Sequence, residues 1–122
     1  MLKKYKVVVT GGSGRFGKKL KLISKDNYFF PSKKQLNILD YKNIITYLKK
    51  TKPKILIHLA GLSRPMSAHE KKITKSIRLN IIGTSNITIA CKNLGIKLVY
   101  FSTSYVYPGK KGRYKETDAL LP

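Results

Sequence analysis

At 122 residues, with 42% of them apolar, the chain is long enough for one domain with its own core and too apolar for disorder. Its 26 Lys and Arg stand against 5 Asp and Glu, a net charge of +21 that attracts phosphorylated ligands or other polyanions but does not set a fold. A single cysteine, Cys91, excludes a disulfide framework and a cysteine metal cluster, and no apolar run reaches membrane-spanning length.

The lysines are scattered, and no block of five like charges occurs. Their plain reading is solvated helix faces, and with no nucleic-acid-binding motif beside them specific nucleic-acid recognition is not expected. His58 and His69 do not stand at ligand spacing, so no metal site is expected. The basic stretch Met1 to Lys6 is followed only by Val7 to Val9, too short for a signal-peptide core, and a cytoplasmic location is expected by default.

The first strand is expected over Lys4 to Thr10. Gly11, Gly14 and Gly17 then form a glycine turn into a helix over Gly14 to Ser24, with Phe16, Leu20 and Ile23 at helical spacing. Lys18, Lys19 and Lys21 fall off that stripe or at its edge, in water. Strand, glycine turn and helix start are the parts of a dinucleotide-phosphate site: glycines let the backbone approach the pyrophosphate, and the helix N-terminus offers free N–H groups. Arg15 and Phe16 would supply two of them.

Asn27 to Phe30 reads as an aromatic second strand stopped by Pro31. Asp40 is a candidate N-cap for a helix carrying Tyr41, Ile44, Ile45 and Leu48 on one face. Pro53 ends that helix, and Lys54 to Leu59 is a third strand, apolar on both faces as in parallel sheets. Ser67 to Asn93 is helical in two pieces, with stripes at Ile73, Ile77, Ile81 and at Ile87, Ala90, Cys91, Leu94. Asn93 and Gly95 stop it, Ile96 to Phe101 is a fourth strand, and a basic tail runs to Pro122. His58 reads as a satisfied core histidine and Cys91 as a small core residue.

The alternation β-α-β-α-β-α-β predicts a single α/β domain over 1–122 with a loop tail from 108, a Rossmann-type doubly wound parallel sheet with helices on both faces. The expected strand order is 3-2-1-4, with ligands bound over the carboxyl ends at a switch between strands 1 and 4. The glycine turn, Ala60-Gly61 and Ser102-Thr103-Ser104 all lie at such ends.

With these residues placed, the chain resembles the extended short-chain dehydrogenases/reductases. Thr10 to Gly17 is similar to their TGxxGxxG turn, and Leu36-Asn37-Ile38-Leu39-Asp40 to their D-(L/I/V)-x-D after strand 2. His58-Leu59-Ala60-Gly61 is similar to H-x-A-(A/G), Asn80 to Thr84 to N-x-x-G-T, and Phe101 to Tyr107 to (S/T)-(S/T)-x-x-V-(Y/F). Within that family the likeness is greatest to the group around dTDP-4-dehydrorhamnose reductase and the NAD-dependent epimerases/dehydratases, which act on nucleotide sugars.

The resemblance implies a catalytic Ser/Thr, Tyr and Lys, the last two in YxxxK. Thr103 takes the Ser/Thr role and would hydrogen-bond the substrate oxygen. Gly11, Gly14, Arg15, Phe16, Gly17, Ser32, Lys33, Asn37, Ile38, Leu59, Ala60, Gly61, Asn80 and Ser102 are the expected cofactor-binding residues. No YxxxK occurs at the expected place before Pro122. General acid–base catalysis is worth about 10²–10⁴ in rate, so negligible turnover is expected of these residues alone. Strand 4 is then an open edge, inviting a protein partner or self-association. A fragment, one half of a split enzyme and a stand-alone module all remain open.

NAD sites carry an acid at the end of strand 2 for the ribose hydroxyls; here Pro31-Ser32-Lys33-Lys34 offers a hydroxyl and two cations, which favours NADP over NAD. Read without the resemblance, Lys33 is a solvated loop lysine. The leading function is the NAD(P)-binding portion of a nucleotide-sugar reductase or epimerase/dehydratase. The alternative is a non-catalytic dinucleotide-binding or regulatory module, like the methionine adenosyltransferase regulatory subunit among family relatives. A basic nucleic-acid binder is a weaker third.

Overall fold

The computed structural model describes residues 5–121. Lys4, where the first strand was expected to begin, lies outside them, as do the residues before it and Pro122. Four strands form one parallel sheet: β1 (Val7–Thr10), β2 (Tyr28–Phe29), β3 (Ile55–His58) and β4 (Lys97–Tyr100). The helices are α1 (Arg15–Ile23), α2 (Tyr41–Thr51), α3 (Ser67–Lys71), α4 (Ile73–Ile77) and α5 (Gly83–Leu94), with a π-helical turn at Arg78–Ile82 between the last two.

The parallel α/β architecture agrees with the sequence, but the strand order does not. It is β2-β1-β3-β4 in place of 3-2-1-4. β2 contributes only two residues, Tyr28 and Phe29, paired with Val7 and Val8. The four-residue β3 finds four partners on β1, from Val7↔Ile55 to Thr10↔His58. The chain after β2 turns at Ser32–Gln35 and again at Asn37–Asp40, so among the described residues no strand extends that edge. β3 therefore returns past β1, and the point where the strand order reverses falls between β1 and β3, all four strands running parallel.

Central β1 is buried on both faces, as its three valines anticipate. Val8 points to a core with Leu36, Ile38, Ile44, Leu48, Leu56, Ile87, Ala90 and Cys91. Each large aliphatic side chain sealed there contributes about 1.5–3 kcal/mol. α2 and α5 pack together over this face, whereas the first crossover carries α1 to the other, where Val7 and Val9 point. Burial raises the Cys91 thiol to about 11, leaving it an inert core group.

Local signals fix the helix ends. The Asp40 carboxylate accepts from Asn43 N at 2.9 Å at the start of α2. Lys52 closes α2 in a left-handed conformation, φ 52°, donating its N–H to Leu48 O, and Pro53 follows. Gly95 does the same for α5 at φ 63°.

The Ile73, Ile77, Ile81 stripe does not enter the core: these residues are 59%, 45% and 60% exposed. The helical phase breaks at Lys72 and widens through the π-turn, and the inward face carries Ser76, Leu79, Asn80, Gly83 and Ile87 instead. A Cβ on Gly83 would meet Ile38 Cδ1 at 2.6 Å, so glycine is what lets this helix close on the core. The tail is folded: Tyr107 stacks on Tyr114 at 4.8 Å, and Lys111 pairs with Asp118 at 2.9 Å. Among the described residues no helix is long and apolar enough to cross a membrane.

Candidate functional site

The carboxyl ends of β1 and β3 open into a cleft of about 730 Å³. Its floor is the glycine turn. Gly11 has φ +73°, and a Cβ there would meet Ala60 N and Leu59 C at 2.6 Å, so the turn after β1 lies directly on the chain leaving β3. Gly17 is buried, and its Cβ would meet Gly12 Cα at 2.7 Å. Gly14 is looser, with only Gly11 O at 3.2 Å from a Cβ. Gly14 is also the N-cap of α1, with no side-chain cap and no acid in the first turn, so the first N–H groups of the helix stay open to an anion.

Of the expected cofactor residues, the structure brings Gly11, Gly14, Ser32, Lys33, Asn37, Ile38, Leu59, Ala60 and Gly61 to this one cleft. Arg15, Phe16, Gly17, Asn80 and Ser102 do not line it. Gly17 packs under the turn, and the Phe16 ring sits 5.1 Å from Phe101 at the end of β4. Asn37 is half-buried and braced from both sides, its N–H on Asn43 Oδ1 at 2.7 Å and its Oδ1 taking Leu39 N at 3.1 Å. The 32–35 turn is locked reciprocally: Ser32 N donates to Gln35 Oε1 at 2.8 Å, and Gln35 N donates back to Ser32 O at 3.0 Å.

Two buried side chains hold the cleft from below. Thr10 Oγ1 accepts Ala60 N–H at 3.3 Å and lies 2.7 Å from His58 Nδ1; His58 Nε2 lies 3.1 Å from Thr84 Oγ1 on α5. All these atoms are served when Thr10 donates to Nδ1 and the Nε2 proton goes to Thr84. Burial lowers the His58 pKa to about 4, so the ring is neutral at pH 7. That agrees with a satisfied core histidine and leaves no charged base there.

Asn80 acts through the backbone. Its Oδ1 accepts from Leu62 N at 2.7 Å and its Nδ2 donates to Leu62 O at 2.9 Å, pinning the loop after Gly61. Gly61 packs closely beneath this side chain: a Cβ there would meet Asn80 Oδ1 at 3.0 Å, a tight contact to which Asn80 would have to yield.

A second pocket of about 690 Å³ opens between the loops that follow β3 and β4. Ser63, Arg64, Pro65 and Met66 form one wall, and Ser102, Thr103, Ser104 and Tyr105 the other. Thr103 Oγ1 accepts from Tyr105 N at 3.2 Å, capping the short 3-10 turn Ser104–Val106, so its hydroxyl proton is left to donate into the pocket. The three strand-end clusters thus serve two adjoining pockets, a consequence of β3 lying between β1 and β4.

The sequence reading missed cleft residues on both walls. Lys18 and Lys21 of α1, assigned to water, line it, as do Phe30 and Gln35 near Ser32, and Lys75 and Leu79 opposite. The available signal was their i, i+3 spacing directly after the glycine turn. Arg64 gave no signal, because only the fold sets it across from Thr103.

A family profile described as RmlD substrate binding domain matches residues 5–122. GDP-L-colitose synthase of Yersinia pseudotuberculosis is 36% identical over 107 residues, covering 84% of this chain and 35% of that protein. Methionine adenosyltransferase 2 subunit beta of Xenopus tropicalis is 26% identical over 127 residues, covering 96% of this chain and 38% of its own length. Among solved structures, dTDP-4-dehydrorhamnose reductase from Bacillus anthracis, in complex with NADP, superposes with a TM-score of 0.88 at 29% identity, over 100% of this chain and 45% of that one. The chain therefore spans less than half the length of these relatives.

Proposed function

The chain belongs to the RmlD substrate binding domain family, and from that premise we propose that it is the NADP-binding portion of a nucleotide-sugar reductase. The observation that carries the reading is the cleft at the β1/β3 switch. The Gly11 turn, whose first glycine admits no Cβ, an uncapped helix start and the Leu59-Ala60-Gly61 backbone meet there, with Ser32 and Lys33 at its edge and, among the described residues, no carboxylate in its lining. These residues fit a dinucleotide bearing a 2′-phosphate. When bound, such a cofactor supplies hydride exchange at its nicotinamide.

The chain's own residues divide the remaining work. The α1 N-terminus and the Gly11–Gly14 turn hold the pyrophosphate, and Ser32 and Lys33 the adenosine ribose end. Asn37 and Ile38 flank the adenine. Thr103 donates its hydroxyl to the sugar oxygen in the adjoining pocket and orients the substrate. The bound sugar nucleotide lies between the 63–66 and 102–105 loops. The outer edge of β4, with Tyr100 and Phe101 exposed, is where the rest of such an enzyme or a partner chain would add.

The likeness to methionine adenosyltransferase 2 subunit beta over 96% of the chain favours a second reading, a regulatory module that holds a dinucleotide without turnover. A Tyr-x-x-x-Lys encoded shortly beyond Pro122 separates the two in favour of the reductase. The cleft itself is tested by titrating NADPH, NADH and a DNA duplex by fluorescence at two salt concentrations. Saturable NADPH binding, tighter than NADH and persisting at the higher salt, supports the reading. A steep salt dependence common to all three ligands would reduce it to the net positive charge.

A further inference from the structure

We infer that Lys18 and Lys21 of α1 are the cations that, beside Ser32 and Lys33, take the 2′-phosphate and set a preference for NADP over NAD. The inference rests on the dinucleotide reading above and adds its specificity determinants. Helical side chains lean toward the helix N-terminus, and the N-terminus of α1 opens on the cleft. Lys18 and Lys21, three residues apart, share one face and reach back to it; both line the cleft, and Lys19, between them, does not.

Topology decides which phosphate they meet. α1 crosses from β1 to β2, so its cleft-facing lysines stand on the β2 side, where Ser32 and Lys33 follow Phe30 and Pro31. Lys75, the fourth ammonium group of the cleft, comes from the helix after β3, on the far side of β1. The 32–35 turn is held rigid by the Ser32–Gln35 exchange, with Gln35 N also reaching Ser32 Oγ at 3.4 Å. The Ser32 hydroxyl proton is thereby free to point at a ligand.

Among the described residues no carboxylate lines the cleft, and the one ion pair is Lys111–Asp118, at the tail. Lys18, Lys21 and Lys33 are therefore uncompensated like charges at one end of a cleft. A dianion placed among them relieves that repulsion and gains charge-assisted hydrogen bonds; an unphosphorylated ribose gains neither.

The test titrates the full chain calorimetrically with adenosine 2′,5′-bisphosphate and with 5′-AMP at a fixed ionic strength of about 150 mM. The variants are Lys18→Gln, Lys21→Gln and their double, with Lys19→Gln removing the same charge from the same helix outside the cleft. The double variant is expected to lose about tenfold or more in bisphosphate affinity while 5′-AMP changes by less than about twofold, and Lys19→Gln by less than about twofold for either ligand. An unchanged bisphosphate-to-AMP ratio in the double variant overturns the assignment. So does an equal loss in Lys19→Gln, which would leave only the overall field. If the unsubstituted chain binds neither ligand, the dinucleotide reading itself fails. Circular dichroism of each variant separates lost affinity from lost folding.

Discussion

Thr10 Oγ1 lies 2.7 Å from His58 Nδ1, and the two residues, 2% and 1% exposed, tie the carboxyl ends of β1 and β3 together beneath the cleft. Burial holds the folded-state pKa of His58 at about 4, below its ordinary 6.5, so the unfolded chain takes up the proton first as pH falls. Stability from this group is fully present above pH 6.5 and drains away between 6.5 and about 4. The integrated loss is on the order of 3 kcal/mol. Thermal midpoints from pH 7.5 to 4.5 are expected to fall more steeply in the native protein than in His58→Asn, which has no titrating ring. Parallel profiles would remove His58 from the acid response.

Asn80 holds Leu62 at both its N–H and its carbonyl, and Leu62 leads into the wall that faces Thr103. Asn80→Ala leaves both Leu62 groups without their partner and should cost about 1–3 kcal/mol. The effect should centre on the 61–66 loop, so limited proteolysis there should speed up more than cleavage in the 32–35 turn. Uniform acceleration would mean that Asn80 supports the whole domain.

The glycine turn was legible because its chemistry is local. Gly11 must adopt φ +73° where a Cβ would come within 2.6 Å of the Leu59–Ala60 backbone, and no other residue type satisfies both demands. Asp40, Pro53 and Gly95 were legible for the same reason. Strand order was not, because it depends on whether β2 is long enough to pair β3, and two paired residues on β2 against four on β1 decide that only in three dimensions. The Ile73, Ile77, Ile81 stripe has the periodicity of a core face, but the break at Lys72 and the π-turn rotate it to solvent. Lys18 and Lys21 misled because a lysine off the apolar stripe of a helix faces water unless the helix start faces a cleft.

The Asp40 cap is the one N-terminal cap of a full-length helix supplied by a carboxylate among the described residues. Its acceptor role toward Asn43 N also fixes the helix turn whose Asn43 Oδ1 receives the Asn37 N–H at the cleft. Asp40→Ala is therefore expected to lower stability by about 1 kcal/mol and to weaken dinucleotide binding as well. Asp40→Asn, which keeps the acceptor, should recover most of both. Equal losses in Asp40→Ala and Asp40→Asn would point to charge and not to capping.

Gly17 and Gly95 separate two reasons for a glycine. Gly95 sits at φ +63° with nothing within 4 Å of a built Cβ, so alanine there meets only the left-handed backbone penalty, about 1–2 kcal/mol. Gly17 has no positive φ, but its Cβ would press on the backbone of Gly11 and Gly12, which cannot yield without moving the turn. Gly17→Ala should cost about 1–3 kcal/mol by overpacking and should also abolish dinucleotide binding. Gly95→Ala should lower the thermal midpoint by a few degrees and leave binding unchanged. Gly14→Ala, with only Gly11 O at 3.2 Å to displace, should fall between them in binding and cost little in stability. Binding retained in Gly17→Ala would mean that the turn can shift without losing the phosphate site. The close packing of α1 on β1 would then concern stability alone.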